Sequence, residues 1–210
     1  MNVQSEPEVK RKTGRPLSFD RDAALERAML LFWKHGYEAT SLAELTAAMG
    51  VTPPSVYAAF GDKKRLFLEA VDRYVTLSSW SAQLIDEAPT AREAAFGLMR
   101  QCAINYTGET TPPGCLVATG AISCSSAASD VQHYLADIRR GVEDKLTDRI
   151  AKAIAADELP PDTDAPALAA HVVAVIYGIS TLARDGASRA TLLRIVETAM
   201  NAWPPERAAD

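Results

Sequence analysis

The sequence predicts an all-α protein: a compact head of three short helices near the N-terminus, then a larger body of longer helices. Three observations lead there. Alanine is abundant while aromatic residues make up 7% of the chain, a composition that favours helix over strand. Glycine and proline gather at a few places, as punctuation between long elements would. Between those places apolar residues recur at i, i+3 and i+4 rather than alternating. The 210 residues suffice to bury a proper core in one large unit, or in one small and one medium unit.

In chain order, residues 1–17 show no periodicity, contain Lys10, Arg11 and Lys12, and end in Gly14-Arg15-Pro16. They read as a flexible basic arm. Asp20 is placed to cap a first helix whose stripe is Ala24, Ala28, Leu31 and Phe32, with Gly36 as its left-handed stop. Ser41 with Glu44 forms a capping box for a second helix carrying Leu42, Leu45 and Met49, which Gly50 ends. Thr52 is expected to cap a third. Pro53 stands there where a missing N–H costs nothing, Val56 and Phe60 face inward, and the helix stops near Gly61. Asp62 caps a longer helix carrying Leu66, Phe67, Ala70, Val71 and Tyr74, expected to run towards Pro89. Further helices are expected near 90–107, 115–125, 127–157, 164–184 and 188–202, separated by Pro112-Pro113-Gly114, Pro160-Pro161 and Asp185-Gly186. The division follows: arm 1–17, helix-turn-helix head 18–63, helical body 64–210.

Charge is divided along the same lines. The net charge is −5, yet residues 10–75 carry 11 Lys and Arg against 8 Asp and Glu, while residues 76–210 carry 11 against 17. A basic head on an acidic body suits a double-stranded DNA partner, although a charged face by itself is usually only solvated. No run of about 18 apolar residues and no leader-like N-terminus appears, so a cytoplasmic protein without a membrane partner is expected. Cys102, Cys115 and Cys124 form an odd set without a CxxC pair and read as reduced thiols, not as a disulfide framework or zinc site. His35, His133 and His171 show no metalloprotease spacing, and neither a phosphate loop nor a GxSxG elbow is present. No enzyme, cofactor or metal is expected.

Two short helices joined through Gly50, the second starting at a proline-led turn, fit a helix-turn-helix, whose second helix enters the major groove N-terminus first. The exposed positions at that end are Thr52, Pro53, Pro54 and Ser55, with Ala58 one turn on. They offer hydroxyls and apolar contact but no bidentate Arg or Asn, so sequence-dependent DNA shape is expected to carry much of the specificity. Arg15, flanked by Gly and Pro, either enters an A/T-rich minor groove or belongs to a plain tail.

The stretch from Ala24 to Leu66 resembles the DNA-binding domain of the tetracycline-repressor (TetR) family. The features are Phe32-x-x-x-Gly36-Tyr37, Thr40-Ser41-Leu42, Met49-Gly50-Val51-Thr52, Val56-Tyr57-x-x-Phe60 and Lys63-x-x-Leu66. The resemblance implies that Thr40, opposite the start of the second helix, Tyr57 on the recognition helix, and Lys63 at the start of the fourth helix hold DNA phosphates, and Ser41 is counted with the DNA-binding residues. A hydroxyl, a phenol and an ammonium are all competent for this. Tyr57 has the alternative of a half-buried aromatic with a wet tip. The resemblance further implies a homodimer formed by the last two helices, with Leu168, Val172, Val175, Ile179, Leu192, Ile195, Val196 and Ala199 as candidate contacts. The same apolar residues could be core. It also implies a palindromic operator and repression relieved by a small-molecule inducer.

In the body, Met99, Cys102, Tyr106, Leu116, Ile122, Tyr134, Ile138 and Tyr177 could line a cavity for that effector or could be ordinary core. Pro113-Gly114-Cys115-Leu116 resembles the start of the helix that couples ligand to head motion in a subgroup of these regulators. Cys115 near a helix start leaves two readings open, an oxidant, electrophile or copper sensor and an inert thiol. A helical interaction protein whose head no longer reads DNA is the remaining alternative.

Overall fold

The computed structural model describes residues 19–205. The arm and its Arg15 therefore lie outside the described residues. Ten α-helices, α1 (Arg21–His35), α2 (Leu42–Met49), α3 (Pro53–Phe60), α4 (Lys63–Leu77), α5 (Trp80–Glu87), α6 (Ala91–Asn105), α7 (Leu116–Thr119), α8 (Ser129–Ala155), α9 (Ala165–Arg184) and α10 (Arg189–Ala199), are joined by turns, with no strand among the described residues.

The N-terminal helices begin where side chains can accept their unpaired amides. Asp20 accepts from the amides of Asp22 and Ala23, Ser41 and Glu44 make a reciprocal capping box, and Asp62 accepts from Arg65. Thr52 departs from expectation. It precedes α3, but its hydroxyl pairs with that of Ser55 at 2.9 Å and caps no amide. Gly36 also differs from a simple left-handed stop: φ is +80° but ψ is 173°, which turns the next amide so that Tyr37 N–H donates to Gly120 O at 2.8 Å.

α1–α4 bury Phe32, Leu45, Met49, Val56, Phe60, Leu66 and Phe67 together, and that core is completed from the body by Leu116, Val117, Val131 and Leu135. Phe32 and Tyr37 both meet the Phe67 ring edge-on, at 4.9 and 5.0 Å between centroids. Arg21 grips both carboxylate oxygens of Glu69, at 2.5 and 2.8 Å, and lies 4.3 Å over the Phe60 ring. A second core, within α5, α6, α8, α9 and α10, holds Leu98, Met99, Leu146, Ile150, Val172, Ile179, Leu192 and Val196.

Two predicted helices are shorter than their apolar spacing suggests. α4 stops at Leu77 instead of running towards Pro89, and α5 starts afresh at Trp80. Here Thr76 Oγ donates to Asp72 O and Ser81 Oγ to Ser78 O, so hydroxyls compete for the carbonyls of the ladder. The segment expected as a helix over 115–125 is a single turn, α7. Thr119 Oγ takes Cys115 O, Gly120 ends the turn, and the Gly120 carbonyl is used by Tyr37.

The candidate dimer contacts need correction. Leu168, Val172, Ile179, Leu192 and Val196 are buried in the chain's own second core, which leaves them little surface to offer a partner; Val175, Ile195 and Ala199 are half-buried. α9 is apolar around most of its circumference, so spacing alone could not say which stripe faces inward. The stripe left exposed is Ala170, Ala174, Gly178 and Leu182. By length and composition α9 could cross a membrane, but residues such as Val173 and Ile176 are packed inside the bundle, as in a core helix.

Candidate nucleic-acid interface

The reading end of α3 is built by exclusion. Val56 and Phe60 are buried, which fixes the rotation of the helix and turns Thr52, Pro53, Pro54, Tyr57 and Ala58 to the outside; Ser55 is half-buried. Tyr57 is 55% exposed, one turn from the helix start, so its phenol is free to meet a partner. Pro53 and Pro54 occupy the first two positions, so α3 presents pyrrolidine rings there in place of two amide N–H groups.

Lys63, at the start of α4, lies half-buried with its ammonium 4.5 Å from the Tyr37 ring centroid and 3.4 Å from Glu38 O. Burial pushes its pKa down, partly offset by the nearby Glu38 carboxylate. Glu44 and Ser41 stand at the neighbouring start of α2. The Ser41 hydroxyl and amide both donate to Glu44 at 2.7 Å, which lowers the carboxyl's pKa. A cation held on an aromatic face by one weak carbonyl contact is poised and not saturated. Lys64 is the opposite case, tied to Asp130 of α8 at 2.7 Å.

Thr40 is the correction at this surface. It was expected to hold a phosphate, but it is 0% exposed and its hydroxyl donates to Gly36 O at 2.6 Å. It closes the turn between α1 and α2, a role that a small β-branched residue with a donor fills and that local sequence did not distinguish from an exposed one. Tyr37 is the residue sequence reasoning left without a role; only the folded geometry shows it seating Lys63.

The expected effector set is not gathered in one place. Met99, Cys102 and Tyr106 are packed into the second core, whereas Leu116 belongs to the first. Burial raises the Cys102 thiol to about 12 and Tyr177 likewise to about 12. Tyr134 donates to Asp72 of α4, Ile138 is half-buried, and Ile122, 57% exposed, lies outside any lining. Two surface grooves open elsewhere, one along Asp86, Lys145, Arg149 and Lys152, the other along Trp80, Leu84, Pro89 and Gly97. None of the predicted residues lines either.

Head and body are joined around α7. Buried Trp33 donates its indole N–H to Gly114 O at 3.2 Å, and Ser125 donates its amide and hydroxyl to Glu38 at 2.8 Å each. Tyr74 Oη donates to Cys115 Sγ at 3.3 Å, which places this thiol, half-buried, against both cores.

Comparison with known proteins agrees with this architecture. Residues 24–70 match the family described as bacterial regulatory proteins, tetR family, and residues 97–200 match the tetracyclin repressor-like C-terminal domain. The chain is 38% identical over 198 residues to the HTH-type transcriptional repressor ComR of Escherichia coli K12, covering 93% of this chain and 94% of that one. It is 32% identical over 181 residues to the repressor BdcR of the same organism, covering 85% and 86%. Among solved structures it is similar to the TetR family regulator CifR, carrying cysteine substitutions and complexed with a 26-bp double-strand operator DNA. That likeness has a TM-score of 0.87 at 41% identity and covers 91% of this chain and 100% of that one.

Proposed function

The chain belongs to the tetR family of bacterial regulatory proteins, and on that premise we propose that it is a repressor whose two identical heads grip a palindromic operator and let go when a small molecule binds the body. It is a DNA-binding transcriptional regulator. The observation that carries the reading is the outward end of α3. Thr52, Pro53, Pro54, Tyr57 and Ala58 project from a rigidly packed head, with poised Lys63 beside them. Lys63 and Tyr57 hold phosphates and set the register, and Ser41 flanks them at the start of α2. Thr52, Pro53, Pro54, Ser55 and Ala58 meet base edges, where only hydroxyls and apolar surface are offered. The head is taken as 18–63 and the body as 64–210. The partner copy packs on the exposed Ala170, Ala174, Gly178 and Leu182 face of α9, whose small side chains allow close approach. The protein acts in the bacterial cytoplasm, where its operator lies.

One observation favours a thiol as the sensing group. Of the expected cavity residues, Met99, Cys102, Tyr106 and Leu116 are packed into two cores and Ile122 is exposed, whereas Cys115 is half-buried, bonded by Tyr74 Oη and placed at the junction of head and body. An adduct there would press on Tyr74 of α4 and on the start of α7. The metal variant of this reading lacks such support, because no group of three or more His, Cys, Asp or Glu side chains gathers among the described residues.

The test is selection of bound sequences from a random duplex pool at fixed physiological salt. A palindromic consensus is expected; salt-sensitive retention without enrichment would refute operator reading. With that operator in hand, release by N-ethylmaleimide should occur for the wild type and fail for Cys115→Ser. Equal release from both would remove the thiol.

A further inference from the structure

A closed ring of contacts connects the end of α9 to the DNA-binding head. Arg184, in the last turn of α9, sends one guanidinium nitrogen to Trp33 O at 3.0 Å and another to Lys34 O at 2.9 Å. These carbonyls belong to the final turn of α1, where a helix runs out of its own amide donors and a cation is favoured. From α1 the ring passes through Trp33 Nε1 to Gly114 O, and from Cys115 N–H back to Ser180 Oγ at 2.9 Å, one turn before Arg184. Ser180 is a fully buried polar residue in an otherwise apolar stretch of α9. Gly114 lies against both, with φ +79°; a Cβ there would come within 2.8 Å of Ser180 O and of Arg184 Cγ.

We infer that the last turn of α9, through Arg184 and Ser180, sets the angle at which the head is held on the dimerising helix, and so the distance between the two recognition helices of the dimer. This inference rests on the dimeric reading above. Its geometry is direct. The helix whose exposed face is assigned to the partner copy also caps α1, with no intervening flexible segment. A two-fold dimer reads two half-sites at a fixed separation. Each added base pair shifts one half-site by 3.4 Å and turns it by about 35°. Three of the hydrogen bonds that hold the head on the body lie in this ring, beside those made by Tyr37, Glu38 and Lys64; a head that loses the two at Arg184 follows such a change more readily than one that keeps them. Arg184 touches no DNA in this account. It is a positioning residue that acts through α1, and its planar guanidinium presents two nitrogens in a fixed fork, one to each carbonyl.

The experiment uses the operator selected for the wild-type protein and versions with one base pair removed from or added to its centre. Dissociation constants are measured for wild type, Arg184→Ala, Arg184→Lys and Trp33→Phe, together with salt-dependent binding to random duplex and a thermal melt. For Arg184→Ala, random-duplex binding should be unchanged within about twofold, while the wild-type penalty for altered spacing, expected on the order of tenfold or more, shrinks to about threefold. Arg184→Lys should fall between the two. Trp33→Phe, which removes one donor of the ring and keeps the aromatic body, should shift the spacing profile in the same direction and serves if Arg184→Ala fails to fold. A spacing penalty in the folded variants equal to that of the wild type overturns the inference alone. So does a loss of affinity for all duplexes in step with the melting temperature. A wild type without any spacing optimum overturns it together with the dimeric reading.

Discussion

Replacing Lys63 with alanine separates phosphate contact from base reading. The ammonium is 4.5 Å from the Tyr37 centroid and only 3.4 Å from Glu38 O, so it can reach a DNA phosphate without breaking a strong bond. A charge-assisted hydrogen bond contributes about 1.5–3 kcal/mol, or roughly one to two decades of affinity per head. Each lost phosphate contact lowers the slope of log K against log salt by about 0.9, hence by about 1.8 for a dimer. The cost to the fold is smaller, because the cation–π contact at a half-exposed site is worth about 0.5–1 kcal/mol. Fluorescence anisotropy of labelled operator and random duplex across a salt series measures both slope and affinity. The expected result is a shallower slope and nearly equal loss on the two duplexes. Lys64→Ala is the control, since Lys64 is already paired with Asp130, and should change the slope by less than half as much. An unchanged slope for Lys63→Ala, or a selective loss of operator over random DNA, would refute the phosphate assignment.

Two further outcomes test the corrections. Thr40→Val removes the donor to half-buried Gly36 O and should cost about 0.5–1.5 kcal/mol of stability, read as a lower melting temperature, with the salt slope of DNA binding unaltered. A reduced slope would return Thr40 to the phosphate contacts. Gly114→Ala forces a side chain into the positive-φ region and against Ser180 O; roughly 2–4 kcal/mol should be lost in a denaturant titration, the backbone strain adding to the broken Cys115 bond. A wild-type midpoint would show that the loop relaxes freely.

The helices of the head were legible because their signals are local. Asp20, Ser41 and Asp62 cap within three residues of where they stand, and Gly50 ends α2 in the left-handed conformation. The break at Ser78 was not, since apolar spacing continues through it, and the hydroxyl bonds of Thr76 and Ser81 there resemble that of Thr147 within unbroken α8. Burial was legible for Phe32 and Val56, which have one neighbour set, and illegible along α9, where Val172 and Ala174 both look suited to an interface and only packing assigns the first to the core. Thr40 shows the same limit for a polar residue. Arg184 reads in sequence as an ordinary cation at a helix end; the carbonyls it holds are 150 and 151 positions away.

The pair of prolines that opens α3 bears on how this regulator could change its target. At most positions of a recognition helix a substitution exchanges one side chain for another on an unaltered backbone. At Pro53 or Pro54 any substitution also restores an amide N–H at the helix start and loosens a fixed φ. If Pro53 and Pro54 meet base edges as proposed, a single codon change there alters base contact, anion affinity and local stiffness at once. On the proposed base contacts, gradual drift of operator preference is thereby steered towards Ser55 and Ala58, where residues can be exchanged one property at a time, and the two prolines act as a brake on divergence between the regulator and its site.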